Sequence, residues 1–153
     1  MIIAVAADHG GFPLKSLVIE TIREAGHEVI DMGTHGPESV DYPDYSEKAG
    51  NALRRGEVDR AVLLCGSGVG VCIAANKIQG VYAAVCHDTY TAHQGVEHDH
   101  MNAICIGARV VGPALAKEIV TSFLSAHFNE EPRFIKRAEK VKRLEGLFLS
   151  NPK

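Results

Sequence analysis

The sequence predicts an α/β fold: a doubly wound three-layer αβα sandwich with a five-stranded parallel sheet and an extended C-terminal helix. Three observations predict it. Short apolar runs recur along the chain, each gives way to a glycine-rich or polar turn, and helical patterns fill the intervals. Nearly continuous apolar runs suit strands covered on both faces, the usual state of a parallel sheet. At 153 residues, with 46% apolar and 23% charged residues, the chain is expected to form one domain over 1–153.

Taken in order, the first strand is Ile2–Ala7, and it runs straight into Asp8-His9-Gly10-Gly11. A helix follows, with Pro13 in its first turn, Gly26 at its stop, and Leu14, Leu17, Val18, Ile22 and Ala25 on one face. Glu28–Asp31 is the second strand and Arg60–Cys65 the third. Ala83–Cys86 and Ala103–Ile106 complete the expected five. Pro113 opens a helix whose stripe is Leu115, Ala116, Ile119, Val120, Phe123 and Leu124, and a last helix spans about 132–149. In such folds ligands sit beyond the carboxyl ends of the strands, so the loops after each apolar run hold the candidate residues.

Bulk properties exclude several classes of partner. A formal net charge of -3 gives no footprint for nucleic acid or an anionic membrane. No apolar run approaches the roughly 18–20 residues that span a bilayer. Met1 to Ala7 lacks a basic flank and reads as a buried strand and not as a secretory signal. Cys65, Cys72, Cys86 and Cys105 show no C-x-x-C spacing, so reduced thiols in a cytoplasmic protein are the economical expectation.

Two strand-end loops carry chemistry. In Asp8-His9-Gly10-Gly11 the glycines permit a tight turn onto a helix N-terminus, where free N–H groups attract an anion. His9 suits phosphate and Asp8 suits sugar hydroxyls; the alternative is that Asp8 is only a turn or cap residue. In Cys65-Gly66-Ser67-Gly68-Val69-Gly70, three glycines in five residues let backbone amides converge on a negative atom. The loop is neither a Walker motif nor a dinucleotide fingerprint. A cysteine at a strand end beside a helix start is where a thiol pKa tends to fall, making a base or nucleophile. The alternative is a structural cysteine beside a glycine cluster that packs helices.

Histidine is concentrated between His93 and Asn102. His98 and His100 lack the spacing of zinc fingers or helices, so no metal is expected, and a single catalytic imidazole suits the pattern better. His87, His93 and His127 are read as surface histidines without a role. Arg133 and Arg137 share a helix face, about 6 Å apart at Cβ, and would grip phosphate. On charge statistics alone they are a solvated face or pair with Glu130 and Glu139. Arg109, at another strand end, is the stronger candidate.

Taken together, these pieces resemble the type B ribose-5-phosphate isomerases, a family that includes allose- and galactose-6-phosphate isomerases. The resemblance is carried by Asp8-His9-Gly10-Gly11-Phe12, Asp41-Tyr42-Pro43, Cys65 through Gly70, Ala74-Ala75-Asn76-Lys77, His98, Gly107 through Gly112, and the Arg133/Arg137 pair. These occur in family order over nearly the whole chain. The resemblance implies a Rossmann-like core, no cofactor, and a homodimer, with a dimer of dimers left open. It also implies a site at the subunit boundary and a C-terminal helix packing on the partner. It makes Cys65 the base and His98 the ring opener. Asp8, Tyr42 and Ser67 would contact the sugar, and His9 and Arg109 would hold the phosphate, with Arg133 and Arg137 reaching from the partner. One branch of the family places a glutamate in the glycine loop; this chain has the cysteine instead. Asp99 stands where the family commonly has asparagine, and Gly95-Val96 where it commonly has Ser-Arg, in a segment expected to be a loop lining the site.

The reaction so implied moves a proton between neighbouring carbons through an enediolate. It needs a ring opener, a base on one face and donors for the developing oxyanion. His98, Cys65 and the amides of Gly66, Ser67, Gly68, Val69 and Gly70 are the expected providers, with Ser67 assisting. Three alternatives remain: an isomerase of a six-carbon sugar phosphate, a noncatalytic phosphosugar- or nucleotide-binding module, and, with least support, a thiol-redox enzyme.

Overall fold

The computed structural model describes residues 1–150. Its elements in chain order are β1 (Ile2–Ala7), α1 (Phe12–Glu24), β2 (Glu28–Asp31), α2 (Tyr42–Arg54), β3 (Arg60–Cys65) and α3 (Val69–Ala75). After these come β4 (Ala83–Val85), α4 (Thr89–Asp99), β5 (Ala103–Gly107), α5 (Pro113–Ser125) and α6 (Pro132–Ser150). The five strands form one parallel sheet in the order β2-β1-β3-β5-β4. The expected architecture is therefore present, with strand ends shifted by one residue at β4 and β5. No helix among the described residues is long and apolar enough to cross a membrane.

Period-two alternation divides the core. Ile3, Val5, Val62, Leu64, Ile104 and Ile106 face α1, α4 and α5. Ala4, Ala6, Leu63, Cys65 and Cys105 face α2 and α3. The smaller residues on the second face let α2 and α3 approach closely. The helix stripes hold except at their ends. Ala25 is an exposed cap residue, because α1 stops at Glu24. Leu115 lies exposed in the first turn of α5, ahead of the residues that reach the sheet. β2 also departs from the expectation of strands covered on both faces: it is an edge strand, and Glu28, Ile30 and Asp31 are exposed.

An ion pair ties that edge to the body. Lys15 Nζ, 4% exposed, lies 2.9 and 2.7 Å from the two carboxylate oxygens of Asp31. Burial pushes the Asp31 carboxyl up, but the Lys15 hydrogen bond, the Gly33 amide and the charges of Lys15 and His35 outweigh it. The net effect holds it below its ordinary value. Asp31→Asn leaves the buried lysine without its counter-charge and should cost about 1–2 kcal/mol at neutral pH, less than for a fully buried pair because water reaches Asp31. Because the folded value is depressed, the pair's contribution is complete above the ordinary carboxylate range and fades as pH falls through Asp31's lowered value. Urea unfolding of the wild type and the variant across that range should show the gap closing in acid.

Arg60 makes a second tie, from the start of β3 to the end of α5. Its guanidinium donates to the carbonyls of Phe123 and Ala126, the latter at 2.7 Å, and lies 5.1 Å from the Phe123 ring centroid. These bonds satisfy carbonyls that α5 leaves open at its C-terminus.

Candidate active site

Strand order reverses between β1 and β3, because the chain leaves β1 towards one side of the sheet and returns on the other. A crevice opens beyond the carboxyl ends at such a switch point. The Asp8 and Cys65 loops both enter it. A Cβ placed on Gly10 would lie 2.8 Å from Gly66 N, so the two loops are in direct contact.

Each predicted residue of this half has a defined seat. Asp8 is buried and its Oδ1 accepts from Gly11 N–H at 2.9 Å, so it does cap the α1 turn. Val40 N–H donates to His9 Nδ1 at 3.2 Å, which places the ring proton on Nε2 as a donor for an incoming anion. Tyr42 opens α2 and is 40% exposed; a Cβ on Gly70 would touch its ring at 3.0 Å. Arg109 is exposed and its guanidinium lies over Gly66, 3.4 Å from where a Cβ would stand. Cysteine, amides, carboxylate, phenol and guanidinium thus gather around one glycine loop.

The glycine loop is narrower as a donor cradle than the sequence suggests. Gly68 adopts φ +81°, which turns its N–H onto Cys65 Sγ at 2.9 Å, and Val69 N–H donates to Ser67 Oγ at 3.3 Å. Two of the five expected oxyanion donors are therefore engaged within the loop. Among the described residues, no protein acceptor meets the amides of Gly66 and Ser67. Cys65 is 5% exposed and sits at the base of the loop, while Ser67 is exposed at its rim.

The other predicted residues gather at the opposite end of the strands, the amino end. The chain leaves β4 at its carboxyl end, and α4 must return it to the amino end of β5. The 11 residues of α4 cover roughly 16 Å at the usual helical rise. His98 and Asp99 close that helix, so within one chain His98 does not face Cys65. His98 stacks on Phe134, ring centroids 4.4 Å apart, and its Nδ1 lies 3.0 Å from Gln94 Nε2. Arg133 and Arg137 cover the same Phe134 ring at 4.6 and 5.8 Å. Arg133 also pairs with Glu131 at 3.0 Å, and not with Glu130 or Glu139. A second half-site results: one imidazole and two guanidinia around an aromatic ring.

Two readings of residues change. The segment around Gly95-Val96 is helix and not a loop; Val96 is buried, while Asp99, the last helical residue, is exposed. His87 is not a surface histidine without a role, since its Nε2 accepts from Gly107 N–H at 3.0 Å. Elsewhere in the α2/α3 layer, a hydrogen bond from Cys105 lowers Cys72 to about 7, with the Val85 amide and Asn76 adding to it against burial. Burial pushes Cys86 up to about 11. Phe134 also escaped the sequence reading; its position between two arginines was the available signal.

Comparison with known proteins identifies the family. The family model described as Ribose/Galactose Isomerase matches residues 3–141. Ribose-5-phosphate isomerase B of Escherichia coli is 43% identical, over 94% of this chain and 95% of its own length. The D-erythrulose-4-phosphate isomerase of Pectobacterium atrosepticum is 41% identical, over 82% and 84%. The solved ribose-5-phosphate isomerase B of Clostridium thermocellum superposes with a TM-score of 0.93 at 44% identity, covering 97% of this chain and 99% of that one. With the family model spanning most of the chain and the same strand-end loops meeting at the switch point, the protein is an isomerase belonging to the ribose/galactose isomerase family.

Proposed function

We propose that the protein interconverts ribose 5-phosphate and ribulose 5-phosphate in the cytoplasm, through an enediolate, as a homodimer without a cofactor. The observation that carries this reading is the Cys65 sulfur at the base of a glycine loop that is framed by Asp8, Tyr42 and Arg109. His9 and Arg109 bind the phosphate end, and Asp8, Tyr42 and Ser67 hold the sugar hydroxyls. Cys65 removes the proton from the carbon next to the carbonyl and returns it to the neighbouring carbon. The amides of Gly66 and Ser67, with Gly70 in the first turn of α3, meet the oxyanion that develops between those steps.

The ring opener comes from a second copy. The separation of Cys65, at the carboxyl end of the strands, from His98, at the amino end, supports an arrangement in which the half-site of His98, Asp99, Arg133 and Arg137 on one protomer covers the Cys65 crevice of the other. In a twofold dimer both crevices are then completed at once. Placing two cations beside Arg109 and His9 collects positive charge where the phosphate binds, although the chain as a whole is acidic.

The kinship with a four-carbon isomerase and the Asp99 difference favour a second reading, in which another chain length is preferred. A panel of four-, five- and six-carbon sugar phosphates in deuterated water tests both. The expected result is the highest kcat/KM on ribose 5-phosphate, with solvent deuterium incorporated in recovered sugar. A higher specificity ratio on another chain length would replace the substrate. Binding without exchange on any member would replace the enzyme with a binding module.

A further inference from the structure

The strand β4 ends at Val85, opposite Cys105, whereas β5 continues to Gly107. Gly107 therefore lies beyond the last backbone partner that β4 supplies, and its N–H points to the side where the ladder has stopped. The His87 ring fills that place, with Nε2 3.0 Å from Gly107 N. An imidazole nitrogen accepts only through its lone pair, so this ring is neutral with its proton on Nδ1.

The bond holds more than a strand end. A Cβ on Gly107 would lie 2.6 Å from the Ser67 carbonyl carbon, so Gly107 is the surface on which the glycine loop rests. The turn that follows is fastened to the same loop, with Ala108 N–H donating to Cys65 O at 2.8 Å and Arg109 N–H to Gly66 O at 3.0 Å. His87 thus grips one end of a short turn whose other end carries Arg109 and whose body supports Ser67.

We propose that His87 is a positioning residue for the isomerisation, setting the height of the Gly107–Arg109 turn and thereby the aim of the glycine loop at the reacting carbons. The inference rests on the isomerase reading and adds to it a group that touches no substrate. A displacement of the oxyanion donors by a fraction of an ångström affects the transition state more than ground-state binding. Loss of the acceptor should therefore appear in kcat.

The test compares His87→Leu, similar in bulk but without an acceptor, with His87→Gln, whose Oε1 reaches about as far as Nε2. His87→Asn, too short for the bond, replaces the leucine variant if that one does not fold. With ribose 5-phosphate, His87→Leu should lose roughly 10- to 100-fold in kcat with KM within about twofold. His87→Gln should recover most of the loss, and thermal unfolding of the two should coincide. Wild-type turnover in His87→Leu, equal losses in both variants, or a change confined to KM would overturn the assignment while leaving the isomerase reading intact. A wild type inert on every sugar phosphate would overturn that reading, and the role of His87 with it.

Discussion

Cys65→Ala should reduce kcat on ribose 5-phosphate by about 10³-fold while KM changes by less than about threefold, because general-base contributions fall in the range of about 10²–10⁴. The expectation follows from where the sulfur sits. It lies at the base of the glycine loop, held by the Gly68 amide, so its loss would remove the proposed proton acceptor and leave the hydrogen bonds that seat His9 and Asp8 in place. Folding should survive, since alanine suits a strand end packed against the small residues of the α2/α3 face. Solvent exchange gives the decisive readout. A base variant should also lose deuterium incorporation into ribulose 5-phosphate, an open-chain sugar that needs no ring opener. Near-wild-type turnover, or retained exchange with lost turnover, would move the base to another residue.

Mixing two inactive variants should restore activity. Cys65→Ala and His98→Ala each disable every site in their own homodimers if a site takes its sulfur from one protomer and its imidazole from the other. After dissociation and reassociation of equal amounts, half of the dimers are mixed. Each mixed dimer has one site with both residues intact and one with neither, so about a quarter of wild-type activity should return. No recovery above the parent variants, in samples shown to contain mixed dimers, would mean that the two residues act within one chain. Arg133→Ala with Arg137→Ala should likewise complement Cys65→Ala, because both arginines stack on the Phe134 ring that carries His98.

These experiments separate what was legible along the chain from what was not. The first crevice was legible because its members are local. Asp8 and His9 follow β1 directly, and Cys65 and its glycines follow β3, so finding the strands locates the site. The second half-site was harder. His98 lies 33 positions after Cys65 in the sequence, and nothing in its neighbourhood states which end of the strands it will reach. That depends on α4 being a helix through Asp99, and the Gly95-Val96 pair obscured this because glycine lowers helix propensity. The role of His87 was invisible for a related reason. It arises from β4 stopping two residues short of β5, a mismatch of lengths between strands that pair only in the folded chain.

By itself, then, the sequence determined which segments become strands, that the sheet is parallel, and which strand-end loops offer a thiol, a carboxylate and backbone amides. Periodicity and turn chemistry are local properties, and a short window of residues expresses them. Only the tertiary structure decided the distances between loops, the amides consumed inside the glycine loop, and the parting of His98 from Cys65. The reason is geometric: a crossover helix carries the chain from the carboxyl end of one parallel strand to the amino end of the next, so residues close in sequence fold to opposite ends of the sheet.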